Sequence, residues 1–124
     1  MSDEKLFVSR SQAERIKAAG FNSKTQFGYG VSGEVEHGVF HYAKGKNWNG
    51  DKDFASCPSI ATALHWARSH RGLDFSVTTR TGKRYLATLY LPSYKVKIRG
   101  GDYKSVTSAL LDTVLDELEK VEMQ

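Results

Sequence analysis

The sequence has little of three things that mark other classes of protein: cysteine, proline and long apolar runs. Cys57 is the single cysteine, so no disulfide can form within the chain, and two prolines in 124 residues argue against a proline-rich linker. No apolar run approaches the roughly 18 residues that a membrane span needs. Residues 1–4 lack the basic and apolar regions of a signal peptide. We therefore expect a cytoplasmic protein, in its own cell or in a host cytosol, with no membrane partner.

The rest of the composition is that of an ordinary globular chain, with 40% hydrophobic, 26% charged and 11% aromatic residues. We expect one small α+β domain over residues 1–124, in the order β-α-β-α-β-β-β-α. Apolar periodicity and turn residues set the predicted elements. Strands are predicted at 6–8, 38–43, 74–79, 84–91 and 94–99, helices at 11–19, 58–69 and about 103–122, and long loops at 22–36 and 44–52.

Charge is distributed unevenly along the chain. Residues 102–124 contain six acids and two bases, which leaves 16 bases and eight acids in residues 1–101. A basic body attracts phosphates, nucleic acid or an acidic protein surface. The alternative is that the acidic C-terminal helix packs against the basic body and neutralises it.

The segment from Tyr94 to Arg99 alternates strictly and places Lys95, Lys97 and Arg99 on one face of a strand. Bases for phosphates, interleaved with tyrosines for stacking, are typical of a surface that binds a nucleotide or nucleic acid. We therefore predict Tyr94 and these three cations as ligand-binding residues, with a solvated sheet face as the alternative.

Three other patterns predict less. Residues 28–33 match G-x-G-x-x-G, but they neither follow a strand nor open a helix as a dinucleotide-binding loop does, so a flexible loop is expected. Cys57 precedes a helix, where a thiolate would be favoured, and a buried cysteine is the alternative. The four histidines and Cys57 match no metal motif, and no metal site is predicted.

Several segments resemble the ADP-ribosyltransferase fold found in toxins of the heat-labile enterotoxin type. There, an opening strand precedes a helix ending in I-x-x-x-G-F, and a serine motif later opens a second helix. The similar segments are Leu6–Val8, Glu14–Phe21, Phe54–Cys57 with Ser59–Ala67, and Tyr85–Tyr90. Asn47–Asp51 is also similar to part of the RES toxin domains. The resemblance covers about residues 5–92 and implies NAD as a substrate, with no resident cofactor.

The resemblance also implies residue roles. Arg10, two residues beyond the position of the family's NAD-binding arginine, would hold a phosphate. Ser56 would position the nicotinamide ribose, Asp102 would supply negative charge, and His41 would bind the ligand near the cleft. The family's catalytic glutamate has no counterpart, because residues 37–116 contain no glutamate.

The missing glutamate favours a non-catalytic or weakly active module of this kind that binds a nucleotide, nucleic acid or acidic protein. An effector or counter-defence protein would suit that description. An active NAD-dependent ADP-ribosyltransferase or NAD-cleaving toxin is one alternative, and a small nucleic-acid-binding domain is another. A homodimer through the C-terminal helix also stays open, because that helix carries an apolar stripe of Val106, Leu110, Val114, Leu118 and Val121.

Overall fold

The computed structural model describes residues 6–80 and 84–122 of the chain. Their contacts group into two units, residues 1–59 (the first unit) and residues 60–124 (the second unit). Both mix helices with an antiparallel three-stranded sheet, so the predicted α+β class is confirmed. Among the described residues, no helix is long and apolar enough to cross a membrane.

The first unit opens with helix α1 (Arg10–Ala18). Ser9 caps the helix with two reciprocal hydrogen bonds. The Ser9 hydroxyl accepts from the backbone N–H of Gln12, and the side-chain oxygen of Gln12 accepts from the backbone N–H of Ser9. The helix buries Ala13 and Ile16, both 0% exposed. Gly20 follows the end of α1 with φ of +103°, a conformation that favours glycine.

The sheet of the first unit contains β1 (Thr25–Gly30), β2 (Val39–Lys46) and β3 (Phe54–Ser56), in the order β2-β1-β3. A single 3₁₀ turn at Trp48–Gly50 joins β2 to β3. The predicted loops at 22–36 and 44–52 were therefore wrong over β1, over the end of β2 and over this turn. The predicted strand at 6–8 is one bridge, from Phe7 to Ser59.

Two glycines explain why β1 was predicted as a loop. Gly28 lies against the Trp48 ring, and a Cβ there would come within 2.6 Å of Trp48 Cε3. A Cβ at Gly30 would lie 2.9 Å from Cε2 of Phe40. These glycines are strand residues that let large rings approach the backbone closely.

The second unit begins with helix α2 (Ile60–Arg71), two residues later than predicted. The segment before it stays extended because the Cys57 amide donates to the Phe27 carbonyl at 2.9 Å. Three strands follow, β4 (Asp74–Arg80), β5 (Arg84–Tyr90) and β6 (Lys95–Gly100), then helix α3 (Tyr103–Glu122). All four match the predicted elements closely.

Helix α3 packs on one face of this second sheet, which we call the closed face. The rings of Tyr85 and Tyr103 meet edge to face with centroids 5.5 Å apart, and Gly100 lies against Val106. By register the closed face includes Phe75, Val77, Tyr85, Ala87, Leu89, Val96, Ile98 and Gly100.

The apolar stripe of α3 is used inside the chain. Val106, Leu110, Val114 and Leu118 are at most 3% exposed, as are the neighbouring Leu111 and Leu115. The side chain of Val121 lies outside the described residues. The stripe therefore serves the core of the second unit, and the described part of it is not a free surface for a second copy.

Candidate functional site

The opposite side of the second sheet, which we call the open face, carries the predicted basic residues. Thr88 pairs with Ser76 on one side and with Lys97 on the other, so these three side chains point the same way. Among the side chains that the structure describes, the open face includes Asp74, Ser76 and Thr78 of β4, Arg84, Leu86, Thr88 and Tyr90 of β5, and Lys95, Lys97 and Arg99 of β6. All four of its named cations are exposed.

The Tyr90 ring lies at one end of this face, beside the β5–β6 turn. Lys95 pairs across the strands with Tyr90, and its Nζ lies 5.5 Å from the centroid of the Tyr90 ring. Tyr90 is 39% exposed and Tyr94, in the turn, is 53% exposed. On the open face the cations therefore meet Tyr90. The predicted Tyr94 instead lies close enough to Lys120 of α3 to add to the rise in its pKa, which comes mainly from a hydrogen bond to Glu117.

The cations of β6 are not neutralised by the described acids. Within residues 6–80 and 84–122, no carboxylate forms an ion pair with Lys95, Lys97 or Arg99. The acid named on the open face, Asp74, is 3.4 Å from Nη2 of Arg68. The acidic helix α3 backs the closed face, so it does not cover the basic side chains as the alternative interpretation required.

Arg10, His41 and Ser56 belong to the first unit. Arg10 is exposed in the first turn of α1 and donates to the His37 carbonyl at 3.1 Å. His41 is exposed on β2, and its ring lies 4.9 Å from that of Phe27. His41 and Ser56 are on the two outer strands of the sheet, with β1 between them.

Ser56 is fully buried, with 0% exposure, and among the described residues its hydroxyl has no hydrogen-bond partner. Its amide donates to Oδ1 of Asn49 at 2.7 Å, and the Asn49 amide group donates to the Phe21 carbonyl at 2.8 Å. In this arrangement a substrate in solvent does not reach the hydroxyl.

Lys17 stabilises the segment that contains Asp51 and Phe54, just before Ser56. The sequence pattern around Lys17 gave no sign of this role. Its ammonium group donates to the carbonyls of Asp51 and Phe54, at 2.8 and 2.6 Å. Lys17 occupies an amphipathic helix position where a solvated lysine is the ordinary expectation. Its contacts depend on where the chain returns more than 30 residues later.

Asp102 precedes α3 and acts as its cap. Its Oδ1 accepts from the Ser105 amide at 2.7 Å. This backbone hydrogen bond is the main reason that the pKa of the Asp102 carboxyl is lowered, with a side-chain hydrogen bond from Ser105 and the charge of Lys104 contributing. The carboxylate that was predicted to supply charge in a cleft therefore serves a helix N-terminus.

Cys57 is buried, at 3% exposure, beside Tyr29. Burial is the main cause that raises the pKa of the Cys57 thiol, and burial likewise raises the pKa of Tyr29 to about 12. The Tyr29 hydroxyl donates to the Val8 carbonyl at 2.8 Å. A thiol with a raised pKa is a poor nucleophile, so these contacts favour the buried-cysteine interpretation.

No metal centre emerges from the described residues, since they contain no group of three or more histidine, cysteine or acidic side chains arranged to hold an ion. Comparisons of the chain with protein-family models, with curated proteins and with solved structures found no match. The site must therefore be interpreted from its own chemistry.

Proposed function

We propose that this protein is a non-catalytic binding module whose second unit holds single-stranded nucleic acid on the open face of its sheet. One observation carries the proposal: Lys95, Lys97 and Arg99 stand in a row without carboxylate partners among the described residues, and the exposed ring of Tyr90 lies at the end of that row. Phosphates would contact the row, and a base would stack on the Tyr90 ring.

Strand geometry supports this choice of ligand. Alternate residues of a strand are roughly 7 Å apart, so the three cations form a regular line of positive charge. Such a line can follow the backbone of an extended single strand from phosphate to phosphate. Across the strands from Lys97 lie Thr88 and Ser76. Thr88 is only 7% exposed, so the cations of β6 are the groups that a ligand would meet first.

Tyr90 favours a single strand over an acidic protein or a duplex. A stacking contact needs an unpaired base, whose face is hidden in a duplex and absent from an acidic peptide. Tyr90 is already in contact with a cation, because Lys95 Nζ lies over its ring. A base stacked at this end would therefore meet an aromatic ring and a positive charge together.

The test is fluorescence anisotropy with a labelled oligouridine of about twelve nucleotides, a length within the site sizes of single-strand binders. We expect binding that weakens with salt, with a log–log slope of about −2, because each phosphate contact on a single strand contributes roughly 0.7. Lys97→Glu should weaken binding at low salt and reduce the slope by at least about 0.7.

Lys104→Glu is the matched control, because Lys104 is an exposed lysine of the same unit on α3, away from the open face. It makes the same change in net charge and should alter binding much less than Lys97→Glu. Equal effects of the two substitutions would show that binding depends on net charge alone and would rule out the open face as the site.

The same preparation also tests the enzymatic class that the family resemblance implies. Incubation with NAD should release no nicotinamide, because the Ser56 hydroxyl is enclosed and the Asp102 carboxylate accepts from the Ser105 amide. Release that disappears in Ser56→Ala, with unchanged thermal stability, would instead favour an NAD-consuming enzyme.

A further inference from the structure

A pocket of about 540 Å³ lies in the second unit at the end of the sheet where Tyr90 is found. Its walls come from the end of α2, the end of β5 and the last third of α3. Arg71, Gly72, Leu73, Tyr90, Leu91, Pro92, Glu117 and Leu118 line it. Its size falls in the range of sites for small organic molecules, and its few polar groups sit among apolar walls, as in such sites.

Tyr90 connects this pocket to the open face. Register places its side chain beside Lys95 on that face, and the same residue lines the pocket. A strand that follows Arg99, Lys97 and Lys95 therefore arrives at the mouth of the pocket with its next base next to the Tyr90 ring. We infer that the pocket receives one base of the bound strand, an inference that rests on the proposed function.

Glu117 indicates which base fits. Its side chain is 18% exposed, and its Oε2 accepts from Nζ of Lys120 at 3.0 Å, so the carboxylate is paired with a cation at the edge of the pocket. Each carboxylate oxygen has two lone pairs, so both oxygens can still accept hydrogen bonds from a ligand.

Guanine matches that acceptor best. Its N1–H and its N2 amino group are adjacent donors on one edge, and a carboxylate can accept from both at once. Uracil offers a single N–H between two carbonyl oxygens that a carboxylate repels, and adenine offers only its N6 amino group on that edge. We therefore propose a guanine-selective pocket.

The experiment compares oligouridines of equal length with a guanine at the first position, at the last position or at neither. One of the two guanine-containing strands should bind about tenfold more tightly than the uridine strand, as expected when a base edge is matched by paired hydrogen bonds. Replacing that guanine with inosine, which lacks the N2 amino group, should remove most of the gain without any change to the protein.

Glu117→Gln should abolish the guanine preference, so that the guanine-containing strand binds no more tightly than plain oligouridine. Glu119→Gln is the control, because it is the same chemical change on an exposed position of the same helix, outside the pocket. It should retain the preference.

The outcomes separate the two proposals. Two results would overturn the guanine pocket but not the open face as a binding site. One is equal affinity for all the strands, and the other is an inosine strand that binds as tightly as the guanine strand. Failure of every oligonucleotide to bind would overturn the proposed function and, with it, the pocket.

Discussion

Gly100 of β6 and Val106 of α3 approach so closely that a Cβ at position 100 would lie 2.5 Å from Cγ2 of Val106. Val106 is 1% exposed, so its side chain is enclosed by its neighbours. The contact fixes the first turn of α3 against the edge strand that carries the basic row.

We expect Gly100→Ala to destabilise the protein by about 1–3 kcal/mol, the usual cost of forcing an extra methyl group into a packed core. Gly101→Ala is the control, because nothing lies within 4 Å of a Cβ at that neighbouring position. Urea unfolding measures both. A Gly100→Ala variant as stable as Gly101→Ala would show that helix and sheet do not pack this tightly.

Lys17→Met should cost about 2 kcal/mol, because it removes a charged donor from the carbonyls of Asp51 and Phe54. Methionine keeps the length and apolar character of the aliphatic part of lysine, so the loss of stability measures the contribution of the hydrogen bonds. Lys24→Met changes an exposed lysine of the same unit in the same way and should stay within about 0.5 kcal/mol of the wild type. A similar change in the urea midpoint for both variants would contradict the role of Lys17.

Asp102 makes the stability of α3 depend on pH. Its pKa is lowered in the folded state, so its contribution to stability is present above the unfolded pKa of about 3.9 and is lost as pH falls through the lower folded value. An asparagine side chain at this position would cap the helix about equally well but would not titrate. Compared with Asp102→Asn, the wild type should therefore lose more of its unfolding free energy between pH 6 and strongly acidic pH.

The measurement is the urea midpoint of each protein across that range. Asp102→Ala, which has no cap, should be less stable than Asp102→Asn at every pH. Parallel curves for the wild type and Asp102→Asn would mean that the Asp102 carboxylate does not act through its charge.

Tyr29 predicts a loss of stability at alkaline pH. Its folded pKa is raised to about 12, above the value of about 10 for an unfolded tyrosine. The folded state therefore holds this proton more tightly, and stability is intact below about pH 10 and declines as pH rises towards 12. Tyr29→Phe should show a shallower decline over this interval, although it loses the hydrogen bond to Val8 and starts from a lower stability.

Tyr42→Phe removes a hydroxyl from a tyrosine that is 49% exposed, and it should follow the wild-type curve. Guanidinium unfolding at stepped alkaline pH measures all three proteins. A Tyr29→Phe curve as steep as the wild type would assign the decline to other groups.

The second unit was easier to predict from sequence than the first. The alternation from Lys95 to Arg99 and the apolar repeat of α3 each express one local period, and the structure has both elements where the periods predict them. The basic row was predictable for the same reason, since alternation alone puts its members on one face.

In the first unit, the sequence signals of β1 were misleading. Gly28 and Gly30 are strong loop signals, yet they occupy a strand because the rings of Trp48 and Phe40 take the space of their missing side chains. That reason is a tertiary contact between residues about 10 to 20 positions apart. The same limit applies to Ser56 and Glu117, whose burial and pocket position depend on segments distant in the sequence.

The position of Lys95, Lys97 and Arg99 on an outer strand has a second consequence. An outer strand offers unpaired backbone groups to any other extended chain, and lysines and arginines along it discourage such pairing. The cations that would draw in a polyanion thus also discourage the sheet from growing by adding copies of itself. Replacing all three with alanine should therefore promote self-association in concentrated samples, whereas glutamate at the same positions should keep the protein dispersed.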